Sequence, residues 1–124
     1  MSLPSRPAVL VVEDEFWVMQ DVAETLREHG FEDICASTGD EALPLLEKRP
    51  DIQLVFTDIN MPGKIDGIAL AKAIAERWPD MRVIVTSGRY QPTEIQDKWP
   101  FIPKPYDPRA VARRIGRMLG HTQN

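Results

Sequence analysis

Short apolar runs alternate along the chain with segments whose apolar residues recur every three or four positions, and the two periods predict alternating strands and helices. Ala8–Val12 is continuously apolar and rich in β-branched residues, the pattern of a strand buried on both faces, and it stops at Glu13, Asp14 and Glu15. Met19, Val22, Ala23 and Leu26 then form one stripe of a helix that Gly30 is placed to cap. Phe31–Ala36 predicts a weaker strand. Thr38 and Glu41 have the spacing of a capping box for a helix over Gly39–Lys48, which Pro44 should kink. Leu54–Thr57 predicts a third strand, closed by Asp58 and followed by a Pro/Gly loop from Asn60 to Gly67. A third helix runs through Arg77 with Leu70, Ala71 and Ile74 inward. Arg82–Thr86 predicts a fourth strand ending at Ser87 and Gly88, and Pro92–Lys98 has room for about two helical turns. Phe101–Lys104 predicts a brief fifth strand. Asp107 and Pro108 suit the N-cap and first position of a last helix reaching Leu119.

Strands that alternate with helices pair in parallel through right-handed crossovers, so the expected class is α/β with helices on both faces of one sheet. A chain of 124 residues with 43% hydrophobic content has room for one domain, with its core over about residues 8–120 and loose ends at Met1–Pro7 and His121–Asn124. The net charge of -4 has the wrong sign for a protein that neutralises many phosphates, which argues against direct nucleic-acid binding. The single Cys35 excludes an internal disulfide, and no apolar run approaches the roughly 20 residues of a membrane helix. With no signal peptide at the N-terminus, the expected location is the cytoplasm.

In an open parallel sheet the functional crevice lies outside the carboxyl ends of the strands. The first strand delivers Glu13 and Asp14 there, the third Asp58, the fourth Ser87 and the fifth Lys104. Taken singly, each residue has a simpler role: an acid complementing a helix N-terminus, a turn-forming Asp, a solvated lysine. Taken jointly, they assemble what one reaction needs. Three crowded carboxylates repel one another and suit a hard divalent cation such as Mg²⁺, which keeps open positions for a phosphoryl oxygen. Lys104 and Ser87 add a point charge and a hydrogen-bond donor, completing a set for in-line phosphoryl transfer.

These residues resemble the receiver domain of bacterial two-component response regulators. VLVVEDE is similar to that family's first strand and acidic pair, LVFTDINMPG to its phosphoacceptor motif, VIVTSG to its hydroxyl motif and FIPKPY to its lysine-proline motif. The resemblance covers about Val9 to Leu119 and implies a five-stranded flavodoxin-like sheet of order 2-1-3-4-5. It implies that Asp58 is the phosphoacceptor, and that Glu13, Asp14, Asp58 and the backbone carbonyl of Asn60 hold Mg²⁺, for which Mn²⁺ could substitute. It further implies that Ser87 and Lys104 bind the phosphoryl group, that Ser87 and Phe101 act as switch residues, and that Asn60 and Arg89 tune phosphoryl lifetime. The Lys104–Pro105 bond is expected cis. The implied donor is a histidine kinase or histidine phosphotransfer protein, and no enzyme activity is expected beyond self-phosphorylation from phosphodonors and autodephosphorylation.

The sequence departs from the family pattern at four places: Glu13 replaces the commoner Asp, MPGKIDG is one residue longer than the usual loop, Pro103 lies inside the fifth strand, and the helix at Pro92–Lys98 is short. Pro103 is tolerable if that strand is an edge. A flavodoxin-like nucleotide or FMN binder would share the fold, but its first loop should be Gly/Ser/Thr-rich where this one is Glu-Asp-Glu. A phosphatase of the haloacid-dehalogenase type would carry its Asp nucleophile after the first strand. A stand-alone receiver is favoured over a module cut from a hybrid kinase or DNA-binding regulator. Output is expected through the fifth strand and the last helix, whose Arg109, Arg113, Arg114 and Arg117 form a basic outer face beside Phe101 and above a buried Val111, Ile115 and Met118. That face would meet a downstream protein or a second copy.

Overall fold

The computed structural model describes residues 6–88 and 98–121. Its elements are β1 (Ala8–Val12), α1 (Phe16–Glu28), β2 (Glu32–Ala36), α2 (Gly39–Lys48), β3 (Ile52–Asp58), α3 (Gly67–Arg77), β4 (Arg82–Ser87), β5 (Phe101–Pro103) and α4 (Pro108–Leu119). The candidate Arg89 and the helix expected at Pro92–Lys98, except its last residue, lie outside the described residues.

All strand pairs are parallel and the order is β2-β1-β3-β4-β5, the flavodoxin-like arrangement. All five residues of β1 are buried because the strand is central and covered on both faces. The two-residue period divides the core cleanly. Leu10, Val12, Val55, Val83 and Val85 pack with Leu46 of α2 and Leu70 and Ile74 of α3. Val9, Val11, Leu54, Phe56 and Ile84 pack with Val22 and Leu26 of α1 and Val111 and Ile115 of α4.

Local signals account for the helix limits. Thr38 Oγ1 accepts from Glu41 N–H at 3.1 Å, while the Glu41 carboxylate reaches back to the N–H of Ser37, also at 3.1 Å. α2 runs unbroken through Pro44. Asp66 caps α3 by accepting from Ala69 N–H at 2.8 Å, and Asp107 caps α4 with Pro108 in its first turn. The expected strand limits shift by one or two residues. β3 starts at Ile52, which pairs with Ala8 across a register irregularity, and Phe31 is a buried residue ahead of β2 rather than its first member.

Pro103 falls on an edge strand, and the ladder resumes with Lys104 N–H donating to Ser87 O at 2.9 Å. The expected relation of the last helix to Phe101 is different in the structure. Phe101 packs with the α2/α3 cluster, whereas α4 packs on the other face with Ile102, because successive residues of β5 point to opposite sides. On α4, Arg109, Arg113 and Arg117 are exposed but Arg114 is half-buried, and Met118 is half-buried rather than enclosed, since both lie at the flank of the buried stripe. No helix among the described residues is long and apolar enough to cross a membrane.

Candidate functional site at the carboxyl edge of the sheet

Four of the five strands, β1, β3, β4 and β5, end on one pocket. β1 runs straight into Glu13, whose N–H continues the ladder to Ala36 O at 3.0 Å, so its side chain is held over the sheet edge. β3 ends at Asp58, and Ile59 N–H donates to Thr86 O at 2.9 Å, which fixes the acid against β4. Glu13 and Asp58 are 3% and 5% exposed, an unusual burial for two carboxylates. Asp14 is exposed at the pocket mouth, and one oxygen from each of Glu13, Asp14 and Asp58 lies within 4.8 Å of the others.

Lys104 supplies the compensating charge. Its Nζ donates to Asp58 Oδ2 at 2.7 Å and to Glu13 Oε2 at 3.1 Å. Burial pushes Lys104 down, but its bonds to Asp58 and Glu13 outweigh that and hold its pKa above the usual lysine value. Burial first, and then the Asp58 charge, push Glu13 up to about 7 despite the opposing Lys104. The Lys104–Pro105 peptide is cis.

Asn60 links the Asp58 carboxylate to Ser87. Asn60 N–H donates to Asp58 Oδ1 at 3.0 Å, and the Asn60 side-chain amide donates to Ser87 Oγ at 3.0 Å. The backbone closes behind Asp58: Gly67 N–H donates to Ile59 O, and a Cβ at Gly67 would stand 2.0 Å from Asp58 O, so only glycine fits. The longer loop from Asn60 to Gly67 is fastened at its far end by Asp40, whose Oδ1 accepts from Ile65 N–H at 3.0 Å.

The structure thus brings Glu13, Asp14, Asp58, Asn60, Ser87 and Lys104 to one place. Phe101 is half-buried one strand away, against the α2/α3 cluster. Three features lie outside the sequence reading. The Asn60–Ser87 bond joins two candidates treated separately, and Asp40 clamps a loop 25 residues away. Tyr106, two residues past Lys104, stacks edge-on to Phe56 with ring centroids 5.5 Å apart, and burial with the charges of Glu13 and Asp58 raises its pKa. Its position beside the Lys-Pro pair was the available signal.

The donor set of three carboxylates, with no thiol or imidazole among them, is the hard-oxygen chemistry that Mg²⁺ or Mn²⁺ prefers. A response regulator receiver domain model matches residues 9–115. The chain belongs to the response regulator receiver family. Receivers bind Mg²⁺ at an acidic pocket of this kind. This receiver is 29% identical to the sensor kinase CckA of Brucella abortus over 94% of its own length and 13% of that protein. It is 29% identical to the aerobic respiration control protein ArcA of Escherichia coli K12 over 95% of its length and 50% of that protein. The receiver therefore spans half or less of these relatives. Among solved structures, the receiver domain of the hybrid histidine kinase CckA superposes with a TM-score of 0.77 at 34% identity, covering 90% of this chain and 98% of that one. The CheX-CheY-BeF₃-Mg²⁺ complex from Borrelia burgdorferi gives 0.80 at 31% identity, covering 90% and 88%.

Proposed function

We propose that this receiver accepts a phosphoryl group on Asp58 from a phosphohistidine donor, a histidine kinase or histidine phosphotransfer protein. The observation that carries the reading is Lys104 Nζ at 2.7 Å from a buried Asp58 whose other oxygen is held by Asn60 N–H. One Asp58 oxygen attacks phosphorus in line while the phosphorus-nitrogen bond of the donor breaks. The imidazole leaves with the bonding pair, and the product is an acyl phosphate. Catalysis is positioning and charge neutralisation. Mg²⁺, or Mn²⁺ in its place, held by Glu13, Asp14, Asp58 and the Asn60 carbonyl, would bind a phosphoryl oxygen and offset the carboxylate charge. Lys104 then turns from Asp58 and Glu13 to the transferred group. Ser87, whose hydroxyl accepts from Asn60, moves toward the new oxygens, and the added charge of roughly -1.5 to -2 biases the edge of the sheet. Phe101 repacks, Asn60 and Arg89 set phosphoryl lifetime, and β5 with α4 carries the change to a downstream protein or a second copy. Because the relatives are longer, a second reading makes this receiver a module of a hybrid kinase or DNA-binding regulator.

Intact-protein mass spectrometry with acetyl phosphate tests the assignment. A single phosphoryl mass should appear on the wild type only with Mg²⁺ or Mn²⁺, and should be absent from Asp58→Asn. Labelling of that variant at the wild-type rate would place the acceptor elsewhere.

A further inference from the structure

The segment between β3 and α3, residues 59–66, carries Asn60 and is closed at its base. There Ile59 N–H donates to Thr86 O at 2.9 Å and Ile59 O accepts from Gly67 N–H at 3.0 Å. The rest of the loop has no regular structure, and it is held against the first turn of α2. Asp40 Oδ1 accepts from Ile65 N–H at 3.0 Å. A Cβ on Gly39 would stand 2.5 Å from Ile65 O, so the two backbones meet there directly. Gly63, at φ 103°, carries the chain past the same carboxylate, with Asp40 Oδ1 3.4 Å from where its Cβ would be.

An acid in the first turn of a helix has a simpler role, complementing the positive end of the helix dipole. That role would leave the direction of the side chain open. Asp40 is exposed, yet its oxygen is turned to an amide 25 residues away, in the loop that holds Asn60. Asn60 is where this loop meets the pocket: its N–H donates to Asp58 Oδ1 and its side-chain amide to Ser87 Oγ, both at 3.0 Å.

We propose that Asp40 is a positioning residue for the cation pocket: by holding Ile65 it fixes the loop on α2, which sets the direction of the Asn60 backbone and with it the affinity for Mg²⁺. This rests on the reading of Glu13, Asp14, Asp58 and the Asn60 carbonyl as the cation's donors. With the sheet holding one end of the loop and α2 the other, the Asn60 carbonyl has one orientation. Freed from Asp40, the loop swings about its closed base and Asn60 turns with it. Partners that orient a metal ligand directly are worth about 10–100-fold in affinity, and Asp40 acts one step further out, so its share is about fivefold. Its charge could also draw a cation from a distance, and asparagine separates the two effects because it keeps the accepting oxygen and drops the charge.

Mg²⁺ titrations followed by Trp17 fluorescence and calorimetry test it, together with amide exchange and amide NMR spectra of the metal-free proteins. Asp40→Ala should bind Mg²⁺ about fivefold more weakly than wild type. Its urea midpoint should fall by no more than about 0.5 M, since the bond lost is a single exposed one. Without metal, its Ile65 amide should exchange faster and its Asn60 and Ser87 signals should shift. Asp40→Asn should return the affinity to within about twofold of wild type. Unchanged Mg²⁺ affinity in Asp40→Ala, beside loss of binding in Asp14→Ala, would overturn the role of Asp40 and leave the pocket standing. Asp40→Asn as weak as Asp40→Ala would assign the effect to charge and overturn it too. Wild-type affinity in Asp14→Ala would overturn the cation pocket itself and this proposal with it.

Discussion

Replacing Lys104 by methionine removes the ammonium that bonds both Asp58 and Glu13 while keeping the length and most of the bulk of its stem. The charge it leaves is large. Nζ lies 2.7 Å from Asp58 and 3.1 Å from Glu13, distances at which each attraction is about 5–6 kcal/mol at an effective dielectric of 20. Most of that is offset, since the lysine head no longer has to be desolvated and Glu13, already near neutrality at about 7, takes up a proton when its counter-ion goes. The residual destabilisation should be about 2–3 kcal/mol at pH 8 and smaller at pH 6, where protonation relieves the repulsion. In urea melts this is a fall in midpoint of about 1–2 M at an unchanged slope. The melts are run in EDTA and again in about 10 mM MgCl₂. If the loss is charge repulsion, Mg²⁺ binds the variant more tightly than wild type, because the competing ammonium is gone, and recovers at least half of the deficit. An equal deficit in EDTA and Mg²⁺ would show that packing, and not carboxylate charge, sets the cost, and the pocket would lose its claim as a cation site.

Glu13→Gln tests the same charge by pH. A carboxyl raised from 4.5 to about 7 stabilises the fold fully below pH 4.5 and loses that contribution as pH rises through 7, so metal-free Glu13→Gln should match wild type near pH 4 and exceed it by up to about 3 kcal/mol at pH 8. Thermal melts showing a pH-independent difference would contradict it. Asp14→Ala should weaken Mg²⁺ binding more than tenfold in titrations followed by Trp17 fluorescence, and an unchanged affinity would remove Asp14 from the donor set. Gly67→Ala should destabilise by about 3 kcal/mol or more in denaturant, since its Cβ would meet Asp58 O at 2.0 Å. A gain in stability, the usual result of Gly→Ala within a helix, would mean that the loop yields.

What could be read from the sequence follows from how local its causes are. β1 and β3 are buried on both faces, so AVLVV and LVFT announced themselves, and the acids after them marked the crevice. Asp107 with Pro108 and Thr38 with Glu41 sit within a few residues of the helices they start. Long-range contacts left no such trace. The Asn60–Ser87 and Asp40–Ile65 bonds join residues 27 and 25 positions apart. Lys104 bonding to Glu13 spans 91 positions, and only the assembled sheet creates it. The side of the sheet taken by Phe101 was missed for a subtler reason: in a strand of three residues one step of register decides the face, and Pro103 obscures the pattern.

The two kinds of charge in this pocket are mounted on supports of unequal firmness. Glu13 and Asp58 are anchored on β1 and β3, interior strands bonded on both sides, while Lys104 follows a three-residue rim strand whose Pro103 has no amide proton to offer. The free energy needed to open β5 is accordingly lower than that for β1 or β3, and its amide protons should exchange first. Asp58 is therefore held on the firmer support and Lys104 on the softer one. Any displacement of the ammonium away from the carboxylates would appear as movement of the rim, and the interior of the sheet has no need to deform.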